Sequence, residues 1–449
     1  MRRLSSNIQQ YKALLMLGVP IVIGQVGVII LGFADTLMIG QHSTVELAAA
    51  SLVNTIFQLF LIFSLGYSFG LTPMVGDNFA RNDRRKAGEL VKNSLAANTV
   101  LSLIVMAILA TIYFNLDKMG QPEELLPVMR PYYLVNFISV PFVLWFNCLK
   151  QFCDAITDTR TPMWILLGGN VINIVCNYIL IFGKLGFPEM GLLGAGLATM
   201  GSRIIMFMVI FALFMYKKKY AEFYKGFKEG SVTKTDLRHV NSMGIPPAFQ
   251  MGMEIAAFSL SGIMVGWLGT EALAAHQITL TTAQICYMTY YGMSAAVAVR
   301  VSYFKGQRDY RQLNLTARCG FNLIFVMAFI TCVPLLIFRD DIGGIFTDNA
   351  EVSSYVAAAI YPLMIYQFGD ALQCNYSNAL RGISVVKPLM YIAFIAYFVI
   401  SLPMSYILGI HYNFGLVGIW TAFPFALTIA GIMYYTIFKK ETSKFNAER

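Results

Sequence analysis

Apolar runs of about 20 residues, the length a helix needs to cross the hydrocarbon of a bilayer, recur about twelve times along this chain. Their centres lie near residues 26, 60, 103, 140, 173, 204, 255, 286, 326, 366, 398 and 426. With 57% hydrophobic and only 13% charged residues among 449, and a mean hydropathy of +0.62, the chain has far more apolar surface than a soluble core of its size requires. The sequence therefore predicts an all-α, polytopic membrane protein with twelve transmembrane helices.

The net charge of +9 does not signal nucleic acid, because of where the basic residues fall. With the N-terminus in the cytoplasm, 28 of the 33 Lys and Arg occupy the termini and alternate loops, notably Arg81, Arg84, Arg85, Lys86, the Lys217–Arg238 segment and Arg300–Arg318. Only Lys118, Arg130, Lys184 and Arg339 lie in the opposite loops, and Arg203 lies within a helix. This is the positive-inside bias and predicts that both termini are cytoplasmic. Arg2 and Arg3 precede a first apolar run that is long and has no small-residue cleavage pattern after it, which reads as a first spanning helix rather than a removed signal.

A shift of 226 residues lays one half of the chain on the other. Gly18 and Pro20 meet Gly244 and Pro246, Met38 and Gly40 meet Met264 and Gly266, and Leu47-Ala-Ala49 meets Leu273-Ala-Ala275. Gln58, Gly66, Asp83 and Arg85 meet Gln284, Gly292, Asp309 and Arg311. Sixteen identities fall between residues 18 and 85, where composition alone gives roughly five, so the chain is an internal duplication. An even number of helices in each half gives both the same orientation, and predicts two six-helix lobes related by a pseudo-two-fold axis along the membrane normal. The lobes are expected at residues 1–216 and 239–449, joined by a polar, basic cytoplasmic linker over 217–238.

Three carboxylates interrupt the apolar runs. Asp35 is the only charged residue from Gly18 to Gly40, Glu254 from Gly244 to Gly269, and Asp370 from Tyr355 to Leu380. Ionised acids at such depth cost several kcal/mol unless paired or hydrated, so each marks an ion or substrate path by default. None obeys the 226-residue symmetry: Asp35 falls on Ser261, Glu254 on Val28 and Asp370 on Leu144. A charge needed to fold both lobes would appear in both, so the acids point to lobe-specific function.

Helical spacing gives each acid companions. Tyr366, Asp370, Gln373 and Ser377 share one face of the tenth helix, expected to be wet, and Gln250, Glu254, Phe258 and Ser261 one face of the seventh. Carboxylates with nearby amide and hydroxyl oxygens suit a hard cation such as Na⁺, for which Glu254 and Asp370 are the candidate ligands, and the Tyr366 ring offers a cation–π contact. The same carboxylates can instead carry protons, and the residues alone leave that choice open. In the first lobe Asn170, Asn173 and Asn177 form a row that can face Asp35. The plain alternative is that these amides only join helices.

Other signals are weaker. The seven cysteines are odd in number, without CxxC spacing, and read as small core residues. His276 reads as a packed, hydrogen-bonded residue, since no second His stands near it. No phosphate-cradling GxxxxGK[ST] and no HExxH occurs, so neither ATP as direct energy source nor a zinc enzyme is expected.

The ordered set Gly18-Val-Pro20, Phe33-Ala-Asp35-Thr36, Asp158-Thr-Arg-Thr-Pro162, Gly191-Leu-Leu-Gly194-Ala-Gly-Leu-Ala-Thr199, Ala274-Ala-His-Gln277 and Leu380-Arg-Gly382 resembles the MATE (multidrug and toxic compound extrusion) transporters over nearly the whole chain. Glu254 and Asp370 beside Asp35 make it most similar to the NorM type. Asp154-Ala155 departs from the Arg-Gly usual ahead of Asp158, in a loop away from the expected sites. The resemblance implies export of cationic, amphipathic organic compounds in exchange for inward Na⁺ or H⁺, by a monomer of the cytoplasmic (inner) membrane that needs no other cofactor. It implies a second-lobe cation site at Glu254, Asp370 and Tyr366 and a first-lobe cluster of Asp35, Asn173, Asn177 and Thr199. Gln277, Tyr287 and Phe258, with Asp35 and Asp370, are the implied drug-lining residues. The alternative activity is flipping of lipid-linked saccharides, but that cargo favours a basic cavity, whereas the helices carry one Arg and three acids. A membrane-embedded enzyme would need a convergent catalytic set, and none is present.

Overall fold

A computed structural model describes residues 2–120 and 122–447. Among them the chain is all-helical, as a lipid-embedded backbone requires when water cannot satisfy its N–H and C=O groups. The twelve long helices are α1 Arg2–His42, α2 Thr44–Ala80, α3 Arg84–Phe114, α4 Leu126–Ala155, α5 Arg160–Ile181, α6 Gly191–Tyr216, α7 Lys234–Gly266, α8 Thr270–Gly306, α9 Tyr310–Ile337, α10 Ala350–Gly382, α11 Lys387–His411 and α12 Gly415–Ala447. The duplication governs their boundaries: shifted by 226, Thr44 and Ala80 of α2 become Thr270 and Gly306 of α8. Asp83 caps α3 by accepting from the Lys86 N–H, and Asp309 caps α9 by accepting from Gln312 in the same way.

Two compact units emerge, Ile23–Ala248 and a second made of Met1–Val22 with Phe249–Arg449. The division runs through α1 and α7, not through the linker, and the two crossing points are again 226 residues apart. Repeat glycines explain why. In the unit containing Phe249–Arg449, a Cβ on Gly292 of α8 would lie 2.7 Å from the Gly18 carbonyl oxygen, and one on Gly18 would strike Met293. In the unit Ile23–Ala248, a Cβ on Gly66 of α2 would lie 2.8 Å from the Pro247 carbonyl oxygen, and one on Gly244 would lie 2.7 Å from that of Tyr67. Gly18 and Gly244, and Gly66 and Gly292, are repeat equivalents, so the same glycine crossing is built twice. Small residues let membrane helices approach this closely.

Each unit has its own core. In Ile23–Ala248 it is built on Phe57, Leu109, Tyr133 and Leu144, and in the other on Ile360, Leu363, Trp420 and Phe423. All seven cysteines are free and six are buried.

The basic segment after α6 is more ordered than its composition predicts. It forms a helix, Ala221–Glu229, that buries Phe223 against α3, where side chains on Gly88 or Gly226 would collide with the facing backbone. Lys86 pairs with Asp236 at 3.1 Å, and Lys92 donates to the Gly230 carbonyl at 2.7 Å. At its start, Asp158 accepts from the Tyr220 hydroxyl at 2.7 Å and from Thr161 at 3.0 Å and pairs with Lys219 at 3.0 Å. Burial alone would push the Asp158 carboxyl up, but the Tyr220 and Lys219 hydrogen bonds and the Lys219 charge hold it at about 2, below its ordinary 3.8.

Candidate functional site

Within Ile23–Ala248, the Asn stripe of α5 is buried to the last residue: Asn170 is 6% exposed, and Asn173 and Asn177 are fully buried. Asn177 Nδ2 donates to Asp35 Oδ1 and, at 2.9 Å, to Asn173 Oδ1. Asn173 Nδ2 in turn stands 3.2 Å from both Thr199 Oγ1 and Ser202 Oγ on α6. The chain Asp35–Asn177–Asn173–Thr199/Ser202 thus links α1, α5 and α6. Arg203, one helical turn beyond Thr199, donates to Ser139 at 2.7 Å and to Asn136 at 3.3 Å, and its charge reaches Asp35. Asn177 Oδ1 and Asn170 Nδ2 are buried without a hydrogen-bond partner among the described residues.

The other unit holds a cluster of different chemistry. Asp370 on α10 is 1% exposed and accepts at Oδ2 from the hydroxyl of the fully buried Tyr290 on α8, which also lies 3.0 Å from Gln367 Oε1. Glu254 on α7 is partly buried, and the Asp370 charge acts on it directly. Tyr366 and Tyr287 both lie within range of the two carboxylates. The Tyr397 hydroxyl faces Glu254 without reaching full hydrogen-bond geometry, and Gln250 Oε1, one turn before Glu254, is likewise buried without a partner. Tyr397 sits where α11 widens into π-helical turns over Ile395–Ser401 and again over Ile407–His411, on either side of Pro403. Such turns shift side chains out of helical register.

Ionised acids within spanning helices are stable only when paired, hydrated or bound to a cation. Phenol and amide oxygens around them supply the neutral donors and acceptors that such a cation exchanges for water. Among the described residues no group of three or more His, Cys, Asp or Glu could hold a metal ion, so a metal here would rest on two carboxylates and neutral oxygens.

The α10 stripe that sequence spacing assigned to water is buried instead: Tyr366, Asp370, Gln373 and Ser377 are each 5% exposed or less. Phe258 stacks on Phe423 with ring centroids 4.6 Å apart and meets Tyr366 edge-on. His276 is a packed residue, as expected; its Nδ1 accepts from the Trp420 indole at 3.1 Å. Tyr287 is half-buried and meets Tyr290 edge-on at 5.6 Å, and Gln277 is exposed. Tyr290, Gln367, Tyr397, Ser202 and Arg203 are site residues that the three acids and the Asn row do not by themselves point to. Ser202 stands three residues after Thr199, and Gln367 three before Asp370, so helical spacing could have found both; Tyr397 sits in a π turn, which no helical spacing reveals.

A model of the MatE family matches residues 20–179 and 246–407, more than half of the chain. The chain belongs to the MatE family. The two matched stretches begin 226 residues apart, one in each MatE half, and include Asp35, Asn173, Asn177, Glu254, Asp370 and Tyr397. Thr199, Arg203 and Trp420 lie outside them. This MatE chain is 29% identical over 443 residues to the probable multidrug resistance protein NorM of Photorhabdus laumondii subsp. laumondii, covering 97% of this chain and 96% of that one. It is also 29% identical over 431 residues to the multidrug resistance protein NorM of Photobacterium profundum, covering 95% and 94%. A crystal structure of MATE in complex with MaL6 has the same fold, with a TM-score of 0.89 at 20% identity over 98% of this chain and 97% of that one.

Proposed function

We propose that the protein is a secondary antiporter that exports cationic, amphipathic organic compounds in exchange for Na⁺ or H⁺, as a monomer of the cytoplasmic membrane with both termini inside and without ATP. The observation that carries this reading is the pairing of Glu254 with Asp370 inside a shell of Tyr287, Tyr290, Tyr366 and Tyr397. A carboxylate pair in an apolar interior is stable with one cation between its members and costly without it, so it binds and releases an ion as its access to the two sides changes. The Asp35–Asn177–Asn173–Thr199 chain gives the first lobe a single anionic group with an amide partner, suited to a cationic compound. The relatives' names, multidrug resistance proteins, support drugs as the exported class.

Binding of ion and of drug each weakens the other, because coupling between two sites is reciprocal. The test is counterflow in proteoliposomes: an ethidium-like cation on one side drives labelled Na⁺ or proton movement in the opposite direction, and which of the two moves identifies the ion. Transport of the cation at the same rate with and without both gradients would remove antiport.

A further inference from the structure

Apart from both acidic clusters, α5 and α6 enclose an open groove of about 380 Å³ on the opposite side of α5 from the Asn row. Its walls are apolar, with Ile165, Gly168 and Ile172 on α5 and Val209 and Leu213 on α6. Gly168 makes the recess: a Cβ there would meet nothing within 4 Å, so a larger side chain would fill the groove without disturbing the helices. From Ile205 to Lys217 the groove follows α6 for twelve residues, about 18 Å at the helical rise, close to the depth of one leaflet of a hydrocarbon core about 30 Å thick.

One end of the groove is basic and the rest is not. Lys217 and Thr161 line the mouth, with Lys217 Nζ donating to Thr161 Oγ1 at 3.1 Å. Arg160, Lys218 and Lys219 stand beside them and are exposed, against a single acid, Asp158, which accepts from Tyr220 and pairs with Lys219 at 3.0 Å and with Lys217 at 3.6 Å. Trp164 and Tyr216, 67% and 82% exposed, flank the same end, as aromatic residues do at a membrane interface. An acyl-length apolar slot under a cationic, hydroxyl-bearing rim matches a lipid whose headgroup carries negative charge. Basic recesses between spanning helices hold such headgroups by charge and hydrogen bonding.

We propose that this groove is a binding site for an anionic phospholipid of the leaflet on the linker side, with one acyl chain along Gly168 and the phosphate on Lys217, Thr161 and Arg160. The site is separate from the exported compound, and its test does not use transport. The purified full chain is incubated in detergent with equal amounts of phosphatidylglycerol and phosphatidylcholine of identical acyl chains, and retained lipid is read by native mass spectrometry. The wild type is expected to retain phosphatidylglycerol preferentially by roughly ten-fold or more, the effect of two basic residues near a headgroup. The double variant Arg160→Gln/Lys217→Gln should fall to parity, Lys217→Arg should keep the preference, and Gly168→Phe should lose retention of both lipids. Parity in the wild type, or a preference that survives both Gly168→Phe and the double neutralisation, overturns the proposal.

Discussion

The acidic cluster of each unit solves the same problem, a carboxylate inside the membrane, with opposite chemistry. Around Asp35 the partners are amides and hydroxyls in a relay ending on Thr199 and Ser202, with Arg203 nearby as a fixed positive charge. Around Asp370 they are phenols, and a second carboxylate, Glu254, feels its charge. An amide N–H donor and a guanidinium offset the lone anion in part, and Asn177 Oδ1 remains without a partner. Around the second, the Arg381 charge at the end of α10 reaches Glu254, and Asp370 accepts from the Tyr290 hydroxyl. A duplicated scaffold thus holds one acid in an amide relay and one pair of acids among phenols, and the pair is where a driving ion is expected.

The sharpest way to break this contrast is to neutralise one acid at a time. Asp370→Asn should abolish ion-coupled export, with a loss of roughly 100-fold at the upper end of ordinary coupling energies, while the protein elutes as a folded species. Asp35→Asn should leave ion binding in place and alter drug affinity. If ion-triggered fluorescence changes vanish in Asp35→Asn and persist in Asp370→Asn, the roles are reversed. A finer cut is Tyr290→Phe, which removes the hydroxyl donor to Asp370. A hydrogen bond to a charged group contributes about 1.5–3 kcal/mol, so the ion concentration for half-saturation should move by about ten-fold, whereas Tyr397→Phe, which breaks no closed bond, should move it less.

On the other side of the comparison, Asn177→Ala strips Asp35 of its donor and leaves Asn173 Oδ1 without one. Its effect should fall on stability, about 1–3 kcal/mol, seen as a lower Tm with ion binding unchanged. Outside both clusters, Asp158→Asn serves as the control that touches neither. Because the folded Asp158 carboxyl titrates at about 2, below its ordinary 3.8, its stabilisation is fully present above pH 4 and is lost as pH falls through 2. The stability difference between wild type and variant, at most about 2 kcal/mol at neutral pH and read as a difference in Tm, should therefore shrink in acid, and a constant gap would show that Asp158 acts by packing alone.

Much of this could be read from the residues. Twelve apolar runs, the 226-residue repeat and the three isolated acids specify the helix count, the duplication and the positions of both clusters. Hydropathy and spacing fail where packing in three dimensions selects among equivalent residues. Tyr290 and Tyr287 both lie on α8 three residues apart, and only the rotation of α8 against α10 decides that Tyr290 reaches Asp370. Tyr397 is one aromatic in an apolar run, given its position by a π turn that spacing at 3.6 residues cannot anticipate. The linker helix was hidden because its apolar face is little more than Phe223 and Gly226, too short for periodicity to register.

The glycine crossings bear on how such a chain arose. Cut at the linker, neither piece would be a compact unit, since the opening segment of each half, up to Val22 in one and Ala248 in the other, packs into the other half's helices. A single-copy ancestor carrying Gly18 and Gly66 would have met the same requirement by exchanging the opening part of its first helix with a twin. Helix exchange of this kind is a low-cost route to a dimer, and fusion of the two genes would then have made a partnership already obligatory into one polypeptide, free to let its two acidic sites diverge.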